Sequence, residues 1–61
     1  MTKQAMRKLV KDGNPVQLKS FMSSESFVGT PIEQHEYWVR VKIGDSTKLF
    51  STHELSVVRN D

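Results

Sequence analysis

Seven consecutive residues constrain this chain more than any other feature. In Tyr37-Trp38-Val39-Arg40-Val41-Lys42-Ile43, apolar β-branched residues alternate with an indole and two cations. A period of two sends successive side chains to opposite faces of a strand. Tyr37, Val39, Val41 and Ile43 are therefore expected to face a core, and Trp38, Arg40 and Lys42 to face away from it. A slip of one residue would bury both cations, so the register is strongly specified.

Neighbouring segments read as partners for this strand. Val16-Gln17-Leu18-Lys19-Ser20 has the same period, with Val16 and Leu18 on one side. Residues 22–26 are polar and read as a loop. Phe27–Gln34 is a second strand, with Gly29 marking a bend or bulge and Pro31 an edge or bulge position. Gly44-Asp45-Ser46 is a tight hairpin turn, after which Thr47–Ser51 returns as a fourth strand. Ser51-Thr52-His53-Glu54 has capping-box spacing and predicts one helical or 3₁₀ turn. The apolar run Leu55–Arg59 then forms a fifth strand.

Ahead of the strands, Ala5, Met6, Leu9 and Val10 fall on one helical face, with Thr2 placed to cap it and Gly13-Asn14-Pro15 placed to end it. The competing reading is a hairpin pairing Leu9-Val10 with Val16–Leu18. Ten residues are marginal for an isolated helix in water, so the segment either docks its apolar stripe or frays.

Length and charge bound the function. At 61 residues the chain forms one domain, too small for a two-lobed enzyme with a buried cleft. With no Cys there is neither a disulfide framework nor a thiolate zinc site, and a reducing cytoplasm is the expected setting. No apolar run approaches a membrane span or the core of a leader peptide. Charge is uneven: residues 1–20 carry Lys3, Arg7, Lys8, Lys11 and Lys19 against Asp12 alone, while the remainder is mildly acidic. A basic arm ahead of an acidic body suits an anionic partner.

Five short strands, a polar loop after the first, a tight hairpin between the third and fourth and one turn before the fifth predict a small closed barrel, which removes exposed sheet edges. The stretches Val16-Gln17-Leu18-Lys19, Val28-Gly29, Tyr37-Trp38-Val39-Arg40-Val41 and Leu49–Val58 carry a resemblance. They resemble SH3-like barrels of the Tudor, KOW and photosystem-subunit-E kind, and small SH3-like proteins of phages and prophages (the YorP type). Residues 1–12 read as a basic arm or short helix, and the resemblance implies an SH3-like barrel over 13–61. Type II dihydrofolate reductases are also similar. Where they have Val-Gln-Ile-Tyr, however, this chain has Thr47-Lys48-Leu49-Phe50, a cation and a phenyl in place of an amide and a phenol.

Conventional catalytic constellations are missing from the sequence. His35 and His53 are the only histidines, and their spacing matches no metal motif even with Glu36 and Glu54 added. Ser23, Ser24 and Ser26 lack a nucleophile elbow, and three glycines do not make a phosphate loop. The chemistry that remains is a surface. Trp38, Arg40 and Lys42 share one strand face at intervals of about 6.6–7 Å, with Lys48 on the next strand expected to extend them. An aromatic among cations can stack a base and pair phosphates. The competing reading has Trp38 simply covering the barrel.

The sequence thus predicts a non-enzymatic module, without cofactor or metal, that docks on nucleic acid or a nucleic-acid-handling complex. Trp38, Arg40, Lys42 and Lys48 would make the contacts, and Lys3, Arg7, Lys8 and Lys11 would add long-range attraction. The alternative is a protein-binding or self-associating module with Phe21 and Phe27 as peptide anchors beside the 22–26 loop, unless both are core. A tetrameric reductase comes third.

Overall fold

The structure, a computed structural model, describes residues 2–58. Arg59, the expected end of the last strand, lies outside the described residues, as do Met1, Asn60 and Asp61.

The N-terminal segment is helical: α1 spans Lys3–Asp12. Local chemistry sets both ends. Thr2 Oγ1 accepts the Ala5 N–H at 3.1 Å, satisfying an otherwise unpaired donor. Gly13 adopts φ 68° and donates its N–H to the Leu9 carbonyl, which closes the helix. The hairpin alternative is therefore not adopted. Ten residues persist as a helix because the apolar stripe docks: Met6 is 0% exposed and belongs to the core with Leu18, Val39, Val41 and Leu55. Leu9 and Val10 pack against that cluster.

Five strands follow: β1 Val16–Ser20, β2 Ser26–Gln34, β3 Trp38–Ile43, β4 Ser46–Ser51 and β5 Leu55–Val57. They form one antiparallel sheet in the order β4-β3-β2-β1-β5. The chain is thus mainly β with one short helix. A fully closed barrel is not what the ladder describes: β4 and β5 are its outer strands, and the three residues of β5 pair with β1 alone.

Strand β2 changes partners midway. Ser26–Gly29 pairs with β1, and the segment from Thr30 to Gln34 pairs with β3, with a register shift between Pro31 and Glu33. Gly29 sits where the partners change. A Cβ there would lie 2.5 Å from Val41 Cγ1, so only glycine lets the strands approach this closely. Pro31 is tolerated beyond the point where β1 pairing has ended.

Three local expectations change. Tyr37 does not point inward but is 70% exposed, because β3 begins at Trp38. Tyr37 lies in the turn closed by the His35 N–H to Trp38 carbonyl bond of 2.8 Å, before strand alternation starts. The β3–β4 loop has two residues, with Ile43 opposite Ser46 and Gly44 at φ 61°, the positive first position of a type II′ turn. Residues 52–54 form a turn rather than a helix, because Leu55 resumes a strand directly after the Glu54 N–H to Ser51 carbonyl bond.

That turn uses the capping-box glutamate. Glu54 Oε1 accepts the Ser51 N–H at 3.1 Å, and Oε2 accepts the Ser20 hydroxyl at 2.5 Å. One carboxylate thereby ties the 52–54 turn to the end of β1. Glu54→Ala is expected to cost about 1–3 kcal/mol, because Ser20 is buried and loses a charged acceptor. Urea unfolding followed by circular dichroism measures it, and Glu54→Gln should retain part of the loss.

Candidate functional site

Parity on β3 follows the sequence. Val39 and Val41 are fully buried, Trp38 and Arg40 are half-exposed and Lys42 is exposed. Trp38, Arg40 and Lys42 therefore share the outer face of the sheet. Cross-strand pairing identifies their neighbours: Arg40 lies between Glu33 on β2 and Leu49 on β4, and Lys42 between Thr30 and Thr47.

Lys48 is not among them. It pairs with Val41, so it projects from the opposite face of the sheet, the side carrying Val39 and Phe50. Lys48 stays exposed there because β4 is an outer strand.

The structure adds a residue whose spacing in the sequence matches no motif. His35 and Trp38 flank the β2–β3 turn and stack with ring centroids 3.8 Å apart and planes 23° apart. The Arg40 guanidinium lies 5.7 Å from the Trp38 ring centroid, within cation–π range. Glu33 joins the two, with Oε2 3.4 Å from His35 Nε2 and Oε1 3.3 Å from Arg40 Nη1. All three side chains are about half-exposed, so these contacts orient them more than they stabilise the fold. Trp38 is thus neither a free platform nor a core residue. One side of the indole is stacked by His35, and the column is held in place from Glu33.

His35 also lines a groove of about 470 Å³ between α1 and the β2–β3 turn, together with Lys3, Arg7, Val10, Gln34 and Glu36. Gln34 Nε2 donates to the Lys3 carbonyl at 3.1 Å, and Lys3 Nζ lies 3.7 Å from Glu36 Oε1. These two links clamp the N-terminal end of α1 to the end of β2. Arg7 forms no ion pair among the described residues. The groove leads from the cationic side of the helix to the His35–Trp38 stack. Lys3, Arg7, Lys8 and Lys11 are all exposed, and their three- and four-residue spacing places them on the solvent side of α1. The fold therefore brings Lys3 and Arg7 beside His35 in the groove, leaves Lys8 and Lys11 exposed along the helix, and puts Lys48 on the face opposite Arg40 and Lys42.

The alternative anchors separate. Phe27 is half-buried and stacks on Phe50 at 5.4 Å between ring centroids, joining β2 to β4. Phe21 points out and is 74% exposed, beside Met22 at 78%. Phe27 is therefore packed against the core and partly exposed, and the two rings do not form one patch. Met6 is likewise covered by the sheet, and Leu9 and Val10 pack against the core while staying partly exposed.

Among the described residues no group of three or more His, Asp or Glu side chains is placed to hold a metal ion. No helix among them is long and apolar enough to cross a membrane. No protein-family model, curated protein or solved structure matches this chain.

Proposed function

We propose that this protein is a small nucleic-acid-binding module built on an SH3-like barrel. Three features support the barrel reading. The strand order β4-β3-β2-β1-β5 has its two halves sharing β2, a single turn separates β4 from β5, and Phe27 contacts Phe50 across the interior. The functional reading rests on one observation above all: an ordered aromatic column, His35 on Trp38, stands among cations contributed by both the helix and the sheet. Bases stack on such a column, and guanidinium and ammonium groups pair with phosphates. In this reading the module binds and releases without making or breaking bonds.

The contacts divide by position. Arg40 and Lys42 follow the outer face, Lys3 and Arg7 follow the groove, and Lys8 and Lys11 attract the polyanion from further away. Lys48 contributes only long-range charge. Binding of a labelled oligonucleotide, read by fluorescence anisotropy between 50 and 200 mM salt, is expected to weaken linearly in log–log form. Lys42→Ala should reduce the magnitude of that slope by about one, and Lys48→Ala should change it less. Equal effects of the two would place the contact face wrongly, and salt-independent or absent binding would remove the function.

A second reading, contact with a protein, is favoured by Phe21 and Met22. They are exposed side by side on a turn braced by the Phe21 N–H to Glu54 carbonyl bond of 3.0 Å and the Ser23 N–H to Ser20 carbonyl bond of 3.1 Å. Co-purification of a protein that survives nuclease treatment but is lost in Phe21→Ser would favour this reading.

A further inference from the structure

We propose that the groove between α1 and the β2–β3 turn seats one unpaired nucleotide, making the module selective for single-stranded over duplex nucleic acid. The inference rests on the nucleic-acid reading above and adds the class of substrate. Its basis is the position of His35, which belongs to two structures at once. Its ring stacks on Trp38, and its half-exposed side chain forms part of the groove lining. A planar ring entering the groove would meet the His35 side chain that is already stacked on Trp38.

The rest of the lining suits a nucleotide. Arg7 is a cation with no ion pair among the described residues, available to a phosphate. Val10 is a half-buried apolar contact, and Gln34 presents an amide whose Nε2 is already engaged by the Lys3 carbonyl, so its oxygen is oriented. At about 470 Å³ the groove falls in the size range of small-molecule sites, roughly 300–1,000 Å³. It is also ordered in advance. His35 is held by its N–H bond to the Trp38 carbonyl and by Glu33, and the opposite wall is fixed by the Gln34 and Glu36 links to Lys3. Little ordering is left to the moment of binding.

A duplex cannot use this arrangement, because its bases are already stacked and paired. It would meet only the cations. Single strands present bases that can be splayed onto aromatic side chains.

The test compares a labelled single-stranded oligonucleotide with a blunt duplex of the same length, at one salt concentration, on the full chain. The single strand is expected to bind at least about tenfold more tightly, in line with the effect of one stacked base. His35→Ala should weaken single-strand binding more than duplex binding and so remove most of that preference, and His35→Phe should restore it by keeping an aromatic plane. The restoring variant separates loss of stacking from loss of fold. Amide shifts on titration with the single strand should include Arg7, Val10 and His35. Equal affinity for the two nucleic acids, or an equal effect of His35→Ala on both, would overturn the inference and leave the nucleic-acid reading standing. Binding of neither would overturn both.

Discussion

Met6→Ala is expected to lower the unfolding free energy by about 2–5 kcal/mol, the usual cost of deleting a buried methionine side chain. Met6 is 0% exposed and is the residue through which α1 enters the core of Leu18, Val39, Val41 and Leu55. A single core in a chain below about 70–80 residues rarely supplies more than about 3–5 kcal/mol. The truncation therefore brings the whole molecule close to its unfolding midpoint, where a larger protein would only loosen. Urea titration followed by circular dichroism and Trp38 fluorescence should show both signals lost together, at a much lower midpoint. Met6→Leu, nearly equal in volume, should cost less than about 1.5 kcal/mol. Lys8→Ala on the solvent side of the same helix should stay within about 0.5 kcal/mol. If Met6→Ala proved as mild as Lys8→Ala, the helix would be an appendage and the groove it forms with the β2–β3 turn would have no fixed wall.

The second large effect lies at Gly29. Its backbone is not in the left-handed region, so an alanine there meets no conformational penalty, and the whole cost is steric. A Cβ would stand 2.5 Å from Val41 Cγ1 and 3.3 Å from both Ile43 Cγ1 and the Lys42 carbonyl oxygen. Val41 is fully buried and cannot swing into solvent. Gly29→Ala is expected to destabilise by about 1–3 kcal/mol, the range for overpacking a tight interior. Because the clash has a single principal partner, Gly29→Ala with Val41→Ala should be less destabilising than the sum of the two singles. A coupling of about 0.5–3 kcal/mol in a double-mutant cycle is the expected signature. Strict additivity would mean that the strands move apart and that β2 does not change partners tightly at this point.

Much of the fold could be read from residue order because the responsible signals are local. Alternation in residues 38–43 needs no knowledge of the partner strands, since two cations cannot be buried whichever strands lie beside them. The helix ends were equally legible: Thr2, Gly13 and Pro15 act within one turn of chain. The fate of its stripe was not, because whether Met6 docks or frays depends on a surface assembled from β1, β3 and β5.

The misplaced Lys48 shows how little separates the two outcomes. With Gly44-Asp45-Ser46 read as a three-residue turn, Lys48 falls opposite Lys42. With the observed two-residue loop it falls opposite Val41. One residue of loop length moves every β4 side chain to the other face. His35 was overlooked for a related reason. Its aromatic partner is three residues away, and only a turn that folds residue 35 back over residue 38 makes them neighbours. The split between Phe21 and Phe27 follows the same logic, since both flank one polar segment and the register of β1 against β2 assigns the interior to Phe27.

By itself the sequence determined the kind of elements, their order, their capping and the inward face of β3, because period, turn chemistry and the cost of burying charge act within a few residues. The tertiary structure alone decided which cations share a surface, that a histidine stacks on the tryptophan, and that a helix side and a turn enclose a groove. Those relations join residues distant in sequence, and they are set by strand register and by which stripe of the helix the small core could bury.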